Sequence, residues 1–369
     1  MSMIRKDAKI YVAGHRGLVG SAIVRRLQKG GYTNLVFRSH AELDLKDGPA
    51  VDAFFTSEKP AYVFLAAAKV GGIMANNIYR ADFIYDNIQI QNNVIYHSYK
   101  SGVKKLVFLG SSCIYPKDAP QPLKEEYLLT SELEYTNEPY AIAKIAGIKM
   151  CESFNLQYDT NFISLMPTNL FGPNDNFDLE KSHVLPAVIR KLHLGKCLQT
   201  NDMKSLREDF NRYPVEGVNG SAEEKDILDK LKKYGIRQEG QDVFVRFWGT
   251  GKPRREFLHS DDLADACLYI FENLDFTDLI QDKSLFDRTV KNIRNTHINI
   301  GTGTDVTIRE LVEIVTKITG YGGKIDWDRS KPDGTSQKLM DVSKLHSLGW
   351  HEKLSLEQGI RQVYEIYAG

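Results

Sequence analysis

Long apolar runs are missing from this sequence. Nowhere do roughly 18 apolar residues follow one another, which is the length that a membrane-spanning helix requires. The first residues lead straight into the strand-like run Ala8–Gly14, without the apolar core and the small-residue cleavage site of a secretory signal. We therefore expect a cytoplasmic protein that has no membrane partner.

Cysteine is scarce, and the charges cancel. The 4 cysteines lie far apart without a Cys-x-x-Cys pair, so their spacing predicts neither a disulfide framework nor a metal site. The 48 basic side chains are balanced by 48 acidic ones, which leaves no overall field to attract nucleic acid. We expect no nucleic-acid partner, and any anion must be bound by a local group of residues.

The first half of the chain alternates short β-branched runs with amphipathic stretches of helical period, which is the pattern of a parallel sheet with helices on both faces. We predict strands at Lys9–Ala13, Leu35–Arg38, Tyr62–Ala67, Lys105–Gly110 and Phe162–Met166. The predicted fold class is therefore α/β, a Rossmann-type doubly wound parallel sheet with a smaller α/β substrate-binding lobe. Residues 1–170, with return segments around 250–300, form the predicted sheet domain, and residues 171–249 and 301–369 form the lobe.

A segment at about residues 200–241 is rich in Lys, Glu and Asp, with Leu at helical spacing. We predict an inserted, surface-exposed helical element there, and we favour a solvated insertion without chemistry over a specificity or oligomer contact. Beyond it, the pattern predicts a strand at Val243–Gly249, a helix at Asp261–Glu272, and a strand with a turn at His297–Gly303.

A glycine loop follows the first predicted strand and opens a helix, with the spacing G-x-x-G-x-x-G. Glycines in this context allow a tight turn and let backbone N–H groups approach a pyrophosphate at the helix N-terminus. The alternative is a glycine turn needed only for helix–strand packing. The loop residues that we expect to bind a dinucleotide cofactor are Gly14, Arg16, Gly17, Leu18, Val19 and Gly20.

Basic residues stand where NAD enzymes carry an acidic residue that holds the ribose hydroxyls. Arg38 ends the second predicted strand and Arg16 lies in the glycine loop, and two guanidinium groups suit a 2′-phosphate. We therefore predict NADP(H) rather than NAD as the cofactor, although both arginines could simply face water. Weaker candidates for cofactor contact are Asp44 and Leu45, near the adenine, and Ala67, at the end of the third strand.

A serine, a tyrosine and a lysine form a candidate reaction centre. Ser111 follows the fourth predicted strand, and Tyr140 and Lys144 share one face of a helix that starts near Pro139. An ammonium beside the phenol should lower its pKa and make it a proton donor to a carbonyl oxygen, which the serine hydroxyl could also bind. The alternative is a packed tyrosine beside a solvent-facing lysine.

Cys113 and His183 are a second pair of titratable groups. On opposite faces of the α-carbon of a ketone, a cysteine and a histidine could remove a proton and return one from the other side, which would epimerise the centre through an enolate. Without further context, a buried thiol and a helix-capping or core histidine explain the two residues equally well.

Nearly the whole chain resembles the GDP-L-fucose synthases, bifunctional GDP-4-keto-6-deoxy-mannose 3,5-epimerase/4-reductases of the extended short-chain dehydrogenase/reductase family. The stretches that carry the resemblance are Ala13-Gly-His-Arg-Gly-Leu-Val-Gly-Ser21, Ala66-Ala-Ala-Lys-Val-Gly-Gly-Ile73, Leu109-Gly-Ser-Ser-Cys-Ile-Tyr-Pro116, Asn137-Glu-Pro-Tyr-Ala-Ile-Ala-Lys144, Met166-Pro-Thr-Asn-Leu-Phe-Gly172, Arg255-Glu-Phe-Leu-His259 and Lys331-Pro-Asp-Gly334.

This resemblance implies roles for individual residues. Ser111, Tyr140 and Lys144 would be the reductase triad, Cys113 and His183 would epimerise C3 and C5, and NADPH would reduce C4. The resemblance adds Lys144, Pro167, Asn169 and His183 to the cofactor contacts, and it implies a GDP-sugar substrate bound by Lys191, Trp248, Arg255 and Asp333. For Trp248, plain core packing is an equal alternative. The resemblance also implies a homodimer formed through helices at about Tyr85–Lys100 and Tyr140–Asn155.

The sequence departs from the family pattern at two kinds of position. Lys191 stands where an arginine is often found. The charged segment at about 200–241 and the longer stretch at about 275–296, of which residues 281–292 lie outside the described residues, are not typical of the bacterial enzymes. Our leading hypothesis is a 3,5-epimerase/4-reductase acting on GDP-4-keto-6-deoxy-mannose or a close GDP-4-keto sugar. The alternatives are a C4-reductase without epimerisation, acting on a GDP-6-deoxy-4-keto-heptose or a related sugar, and a non-catalytic NADP(H)-sensing binding protein.

Overall fold

A six-stranded parallel sheet dominates the N-terminal half of the chain in this computed structural model, which describes residues 4–280, 293–331 and 333–369 and omits the side chains of residues 73 and 74. Two units are distinguished by their internal contacts. Unit 1 comprises Met1–Asn174, Glu256–Gly303 and Leu339–Leu354, and unit 2 comprises Asp175–Arg255, Thr304–Lys338 and Ser355–Gly369. Within the described ranges, no helix combines the length and the apolar character that crossing a membrane demands.

The strands, in chain order, are β1 (Ile10–Ala13), β2 (Leu35–Val36), β3 (Tyr62–Leu65), β4 (Lys105–Leu109), β5 (Phe162–Pro167), β6 (Asn169–Phe171), β7 (Ile236–Glu239), β8 (Asp242–Trp248), β9 (Arg254–Arg255), β10 (Phe257–His259), β11 (Ile298–Ile300), β12 (Val306–Thr307), β13 (Lys324–Asp328) and β14 (Gln337–Lys338). The helices are α1 (Leu18–Lys29), α2 (Gly48–Glu58), α3 (Ile73–Ile78), α4 (Arg80–Lys100), α5 (Glu138–Tyr158), α6 (Val184–Gln199), α7 (Met203–Arg212), α8 (Glu224–Lys233), α9 (Ser260–Asn273), α10 (Ile308–Thr319), α11 (Ser343–Ser347) and α12 (Leu356–Ala368).

The sheet of unit 1 has helices on both faces. Its strand order is β11-β5-β4-β3-β1-β2, and all pairings are parallel. Along β1, Ile10 and Val12 belong to a core shared with α1 and α9, whereas Tyr11 and Ala13 belong to a second core shared with α2, α4 and α5. Alternate side chains of one strand thus fill two separate cores. The predicted Rossmann-type α/β fold class is confirmed.

A topological switch point lies between β1 and β3. The chain moves outward from β1 to β2, returns to pair β3 with the other side of β1, and then continues through β4 and β5. In open α/β sheets, ligands bind at the carboxyl ends of the strands where the strand order reverses. The glycine loop follows β1 and the Ala66–Ala68 run follows β3, so both lie at this switch point.

Three predicted strands extend further than the observed ones. The structure ends β2 at Val36, β3 at Leu65 and β4 at Leu109, one or two residues before the predicted ends. Apolar or β-branched composition does not show where a chain leaves the sheet to form a loop. At β2, for example, Arg38 donates a hydrogen bond to the carbonyl of Phe37 within the loop (2.7 Å).

The charged segment at about 200–241 is more structured than predicted. It forms α7, α8 and also the strand β7, which pairs antiparallel with β8. Leu206 and Phe210 of α7, and Ile227 and Leu231 of α8, are buried at the i, i+4 spacing of one helix face. The predicted helical element is therefore present, but one face of each helix packs into unit 2, and the strand β7 was not predicted.

Unit 1 also receives a late segment that the sequence analysis assigned to the lobe. Residues Leu339–Leu354 belong to unit 1, because the backbone N–H of Leu123 donates to the carbonyl of Leu339 (2.7 Å) and the Trp350 indole N–H donates to Asp265 (2.9 Å). Conversely, the sequence analysis placed residues from about 250 in the sheet domain, whereas Arg254–Arg255 forms β9 of unit 2, between β12 and β14.

A fully buried histidine lies beside the edge strand β11. Tyr115 donates its hydroxyl proton to Asn299 Oδ1 (2.5 Å), so its oxygen is left to accept from His297 Nε2 (3.1 Å). This network assigns the proton of the neutral imidazole to Nε2. Nδ1 is buried without a hydrogen-bond partner among the described residues. Burial, assisted by the charges of Lys344 and Lys149, lowers the pKa of His297 to about 3.

This histidine should make unit 1 sensitive to acid. The unfolded imidazole titrates near 6.5 whereas the folded one titrates at about 3. The stability contributed by neutral His297 is therefore complete above about pH 6.5 and is lost as the pH falls toward 3. Between pH 7.5 and 5.0, we expect the free energy of unfolding, measured with urea, to decrease more in the wild type than in His297→Gln, whose side chain cannot titrate. The difference between the two decreases should be about 2 kcal/mol. Equal losses in the two proteins would contradict the assignment.

Candidate active site

The glycine loop is held against the end of β3. Gly14 has φ of 85°, a conformation that other residues rarely adopt, and a Cβ atom built on it would lie 2.7 Å from the backbone nitrogen of Ala67. A Cβ on Gly20 would lie 2.1 Å from the carbonyl oxygen of Gly14. Both glycines are thus required by close backbone packing, and they bring the first turn of α1 to the switch point.

The N-terminus of α1 is free to receive an anion. Gly17 occupies the N-cap position in an extended conformation, no side chain caps this helix, and its first turn contains no acidic residue. Leu18 and Val19 begin the helix, so their backbone N–H groups have no partner within it. The positive end of the helix dipole favours negative charge at this position. The loop therefore fits the pyrophosphate of a dinucleotide.

The two arginines predicted to bind a 2′-phosphate differ in their surroundings. Arg16 is exposed in the glycine loop. Arg38 is half-buried, and its guanidinium forms an ion pair with Glu58 (2.5 Å) and lies over the ring of Phe54. The imidazole of His15, the neighbour of Arg16 in the chain, stacks on Phe37, the neighbour of Arg38, with the ring centroids 5.0 Å apart. Arg16 is thus the more accessible of the two cations.

The remaining cofactor candidates of unit 1 lie on the loops that follow the strands. Asp44 accepts a hydrogen bond from the backbone of Lys46 (3.0 Å), and the carbonyl of Leu45 accepts one from Asn93 (2.8 Å). Pro167 ends β5 opposite Ile300. Their backbones lie at the carboxyl edge of the sheet, where a bound dinucleotide would extend.

Asn169 opens β6, and its amide donates to the carbonyl of Glu256 (2.9 Å). Glu256 was missed by the sequence reasoning, although it is fully buried. Its carboxylate accepts from the backbone N–H groups of Thr302 (2.6 Å), Gly303 (2.8 Å) and Met340 (2.9 Å). It therefore fixes the chain after β11 and the late segment of unit 1, and its only signal in the sequence is an acidic residue placed directly before the apolar β10.

The structure brings together Ser111, Cys113 and Tyr140. Ser111 ends the loop after β4, and its hydroxyl accepts a hydrogen bond from the backbone N–H of Cys113 (3.3 Å). A 3₁₀ turn at Ser112–Ile114 buries the Cys113 side chain, and α5 packs against this turn. Tyr140 lies in the first turn of α5, after Pro139, and is hydrogen-bonded to Ser111.

Lys144 completes this group, but it does not lower the pKa of the phenol. Its Nζ donates to the carbonyl oxygen of Leu109 (2.8 Å) and lies 5.7 Å from the centroid of the Tyr140 ring. Burial, and then the neighbouring Cys113 sulfur, raises the pKa of Tyr140, and the hydrogen bond with Ser111 only partly offsets this. The expected lowering was therefore wrong for the protein alone. Burial also lowers the pKa of Lys144 to about 8.

His183 belongs to unit 2, at the N-cap of α6. The sequence left helix capping as an alternative role, but the imidazole makes no capping hydrogen bond. Desolvation lowers the pKa of His183, although part of the residue stays exposed, and the helix N-terminus disfavours an additional positive charge. A neutral imidazole can both accept and donate a proton.

Lys191 follows on the same helix, and its side chain is largely buried. Its Nζ donates to the carbonyl of Arg246 on β8 (3.1 Å) and lies 5.6 Å from the centroid of the Phe247 ring. Burial lowers the pKa of Lys191 to about 8. The next residue toward the N-terminus, Arg190, is fully buried and holds α6 within unit 2.

Trp248 is not a core residue. It ends β8 with 62 % of its surface exposed, and the ammonium of Lys331 lies 5.6 Å from the centroid of its ring. The turn after Trp248 is fixed by Asp333, whose carboxylate accepts from the backbone N–H and the hydroxyl of Thr250 (2.9 and 2.7 Å). An exposed aromatic face beside a fixed turn is suited to packing on a planar or apolar group.

Arg255 lies near this turn, on the short strand β9. Its guanidinium donates to the carbonyls of Thr335 (2.6 Å) and Arg254 (2.7 Å), and burial lowers its pKa. The Cβ position of Gly334 lies 3.0 Å from Arg255 Nη2. Arg255 thus lies against Gly334 and Thr335, the two residues that follow Asp333.

The sequence profile of the NAD dependent epimerase/dehydratase family matches residues 10–209 and 215–282. The chain is 52% identical to GDP-L-fucose synthase 1 of Arabidopsis thaliana, over 99% of this chain and 95% of that protein. It is 46% identical to GDP-L-fucose synthase of Escherichia coli (strain K12), over 97% and 96% of the two chains. Among solved structures, the GDP-mannoheptose C4 reductase from Campylobacter jejuni with NADP bound is 46% identical, covers 99% of this chain and 100% of its own, and superposes with a TM-score of 0.84.

Proposed function

The chain belongs to the NAD dependent epimerase/dehydratase family, and we propose that it is an oxidoreductase with epimerase activity of the GDP-L-fucose synthase type. The proposed reaction is 3,5-epimerisation of GDP-4-keto-6-deoxy-mannose, or of a close GDP-4-keto sugar, followed by NADPH-dependent reduction at C4. The observation that carries this proposal is the grouping of Cys113 with Ser111, Tyr140 and Lys144 at the carboxyl end of β4. The plant and bacterial GDP-L-fucose synthases, 52% and 46% identical, support it.

The proposed cofactor is NADP(H), which when bound supplies the hydride that reduces C4. Gly14, Gly17 and Gly20 would let the pyrophosphate approach the N-terminus of α1, and Arg16 with Arg38 would face the 2′-phosphate. Asp44, Leu45, Ala67, Pro167, Asn169 and His183 are the further proposed contacts, together with Lys144. The NADP-bound heptose reductase at 46% identity supports this choice.

Arg16 offers a test of cofactor selectivity, because its side chain is exposed and its removal should leave the fold intact. We expect Arg16→Ala to bind NADPH roughly 10- to 100-fold more weakly, since a hydrogen bond to a charged group contributes about 1.5–3 kcal/mol. NADH, which lacks the 2′-phosphate, is the internal control and should bind both proteins equally. Titration of cofactor fluorescence measures both affinities, and equal losses for NADPH and NADH would remove Arg16 from phosphate recognition.

In the proposed reduction, Tyr140 gives a proton to the C4 oxygen while Ser111 donates a hydrogen bond to the same oxygen. A buried phenol with a raised pKa holds its proton until negative charge develops on that oxygen. Once the proton has moved, Ser111 and the cationic Lys144 stabilise the negative charge left on the Tyr140 phenolate. Because the pKa of Lys144 is about 8, a change of pH around that value changes the charge on its ammonium group.

In the proposed epimerisation, Cys113 and His183 exchange protons at C3 and C5. The C4 ketone acidifies the neighbouring C–H bonds, so a base can remove a proton to form an enolate, and an acid on the other face can return one. Because reduction destroys the ketone, epimerisation must precede it. Cys113 lies beside Ser111 and Tyr140, the groups that would hold the enolate oxygen.

Cys113→Ser separates the two half-reactions. A serine hydroxyl is a much weaker acid than a thiol, so we expect proton exchange at C3 and C5 to fall by roughly 100-fold or more. Reduction of the unepimerised ketone should continue, because Tyr140 and Lys144 are unchanged. Incubation in heavy water followed by NMR measures the carbon-bound deuterium. Cys267→Ser, at a buried cysteine of α9, is the matched control, and undiminished exchange in Cys113→Ser would exclude the thiol.

The proposed GDP-sugar contacts are Lys191, Trp248, Arg255 and Asp333. A guanidinium such as that of Arg255 suits a diphosphate, and the exposed ring of Trp248 suits an apolar or planar face of the ligand. Lys191 supplies positive charge but not the bidentate geometry of an arginine. Its burial against β8 gives that charge a defined position.

A second candidate function is favoured by one observation. The GDP-mannoheptose C4 reductase is as similar to this chain as GDP-L-fucose synthase of Escherichia coli, at 46% identity. A C4-reductase without epimerisation, acting on a GDP-6-deoxy-4-keto-heptose or a related sugar, would use Ser111, Tyr140 and Lys144 and leave Cys113 and His183 idle. NADPH consumption without deuterium exchange would identify this function.

We further propose a cytoplasmic homodimer. None of the four cysteines forms a disulfide bond, as expected in a reducing compartment. The helices α4 and α5 expose Tyr85, Tyr96 and Ile142 to solvent, and these apolar groups could pack against a second copy. Sedimentation equilibrium should give about twice the chain mass of 41.9 kDa, and a monomer at micromolar concentration would contradict the dimer.

A further inference from the structure

Three side chains with metal-binding atoms gather at the end of α11, within unit 1 and within one short stretch of chain. His346 lies in α11, and His351 and Glu352 follow the sharp turn at Gly349, where φ is 94°. One nitrogen from each histidine and one oxygen from Glu352 lie within 4.8 Å of one another. The fold creates this cluster, since the sequence spacing H-x-x-x-x-H-E alone does not.

Two of these atoms have an unmet bonding capacity. His346 Nε2 and Glu352 Oε2 are buried atoms without a hydrogen-bond partner among the described residues, and they lie 3.7 Å apart. That distance is too long for a hydrogen bond. Two ligands that are each about 2.0–2.2 Å from a zinc ion are separated by roughly 3.3–4 Å. The gap therefore has the width that a shared metal ion requires.

The third ligand lies next to the first. The rings of His346 and His351 are stacked, with their centroids 4.1 Å apart and their planes at 29°. Each nitrogen lone pair lies in the plane of its ring, so a shared ion requires one ring to rotate out of this stack. His351 is exposed and has room for that rotation.

The backbone on both sides of the cluster is fixed. On the N-terminal side, the backbone N–H of His346 donates to Val342 (2.9 Å) within α11. On the C-terminal side, the backbone N–H groups of Lys353 and Leu354 both donate to Asp262 (3.0 and 2.9 Å). Ligands on a fixed backbone lose little conformational freedom on binding.

We propose that His346, His351 and Glu352 bind one divalent transition-metal ion of the Zn²⁺ class. Two imidazoles and one carboxylate are a zinc-type ligand set, whereas Mg²⁺ and Ca²⁺ prefer oxygen ligands alone. Water would complete the coordination. The ion would connect α11 to the chain that follows Gly349 and so stabilise the C-terminal part of unit 1. This site uses none of the residues assigned to the reaction.

Calorimetric titration of the untagged, chelator-treated chain with ZnCl₂ tests this proposal. We expect one Zn²⁺ per chain and a rise in Tm, with no comparable effect of MgCl₂. His351→Ala, at an exposed position, and Glu352→Gln, which keeps the side-chain shape, should each weaken binding roughly 10-fold or more. His40→Ala is the matched control, because 78% of the His40 side chain is exposed and it lies outside the cluster. Circular dichroism verifies that each variant is folded.

Two results would overturn the proposal. The first is the absence of saturable Zn²⁺ binding to the wild type, which would leave His346 and Glu352 as an ion pair without a metal. The second is binding that His351→Ala and Glu352→Gln retain at wild-type strength, which would place the ion elsewhere, for example on Cys113 or His183. Neither result bears on the proposed reaction, which is measured separately by NADPH consumption.

Discussion

Replacing Tyr140 by phenylalanine is expected to lower kcat for NADPH consumption by roughly 10²–10⁴-fold, the usual contribution of a positioned proton donor. The ring would remain in the first turn of α5, but the hydroxyl that is hydrogen-bonded to Ser111 would be lost. Charge developing on the C4 oxygen would then lack its proton. Binding of NADPH should stay within about twofold of the wild type, because the glycine loop is not altered.

Tyr158→Phe is the matched control for this experiment. Tyr158 ends the same helix and is exposed, so removal of its hydroxyl should leave kcat unchanged. Stopped-flow absorbance follows NADPH consumption in a single turnover and separates the chemical step from product release. Wild-type turnover by Tyr140→Phe would mean that another group, or water, protonates the C4 oxygen.

Replacing Asp209 by asparagine is expected to destabilise unit 2 by about 3–5 kcal/mol, the cost of leaving a buried charge without its partner. Arg190 is fully buried and donates from Nε and Nη2 to Asp209 Oδ1 (3.0 and 2.8 Å). The hydroxyl of Tyr367, in the C-terminal helix α12, also donates to Asp209. One carboxylate from α7 thus ties together α6, α7 and α12.

Urea unfolding measures this loss, and two further variants define its cause. Glu208→Gln, at the neighbouring position, removes an exposed ion pair with Lys204 and should cost less than about 1 kcal/mol. The double variant Arg190→Met/Asp209→Leu should recover much of the stability, since it removes both charges. Equal stabilities of Asp209→Asn and Glu208→Gln would show that Arg190 is not held by this carboxylate.

The parallel sheet was predictable because its signals are local. Each strand is a short apolar run that is buried on both faces, and the glycine loop has a spacing that fits only one kind of turn between a strand and a helix. The inserted segment was harder to interpret, because amphipathic helices such as α7 show the same charge pattern whether their apolar face is covered or not. Only the packing of Phe210 and Leu231 distinguishes the two cases.

The residues of the candidate site also differ in how well the sequence predicts them. Ser111, Tyr140 and Lys144 are found by spacing around one strand and one helix. Glu256 gives only the weak signal of an acidic residue before an apolar strand, because its partners are backbone groups at residues 302, 303 and 340. The expected effect of Lys144 on Tyr140 was wrong because helical spacing sets the distance but not the burial. Desolvation depends on the surrounding fold, and it raises the pKa of Tyr140.

The most direct test of the proposed function is a single incubation of the wild-type protein with GDP-4-keto-6-deoxy-mannose and NADPH in heavy water. NMR of the product locates carbon-bound deuterium, and absorbance follows NADPH. We predict deuterium at C3 and C5 with one NADPH consumed per product molecule. NADPH consumption with no deuterium at either carbon would contradict the epimerase assignment of Cys113 and His183.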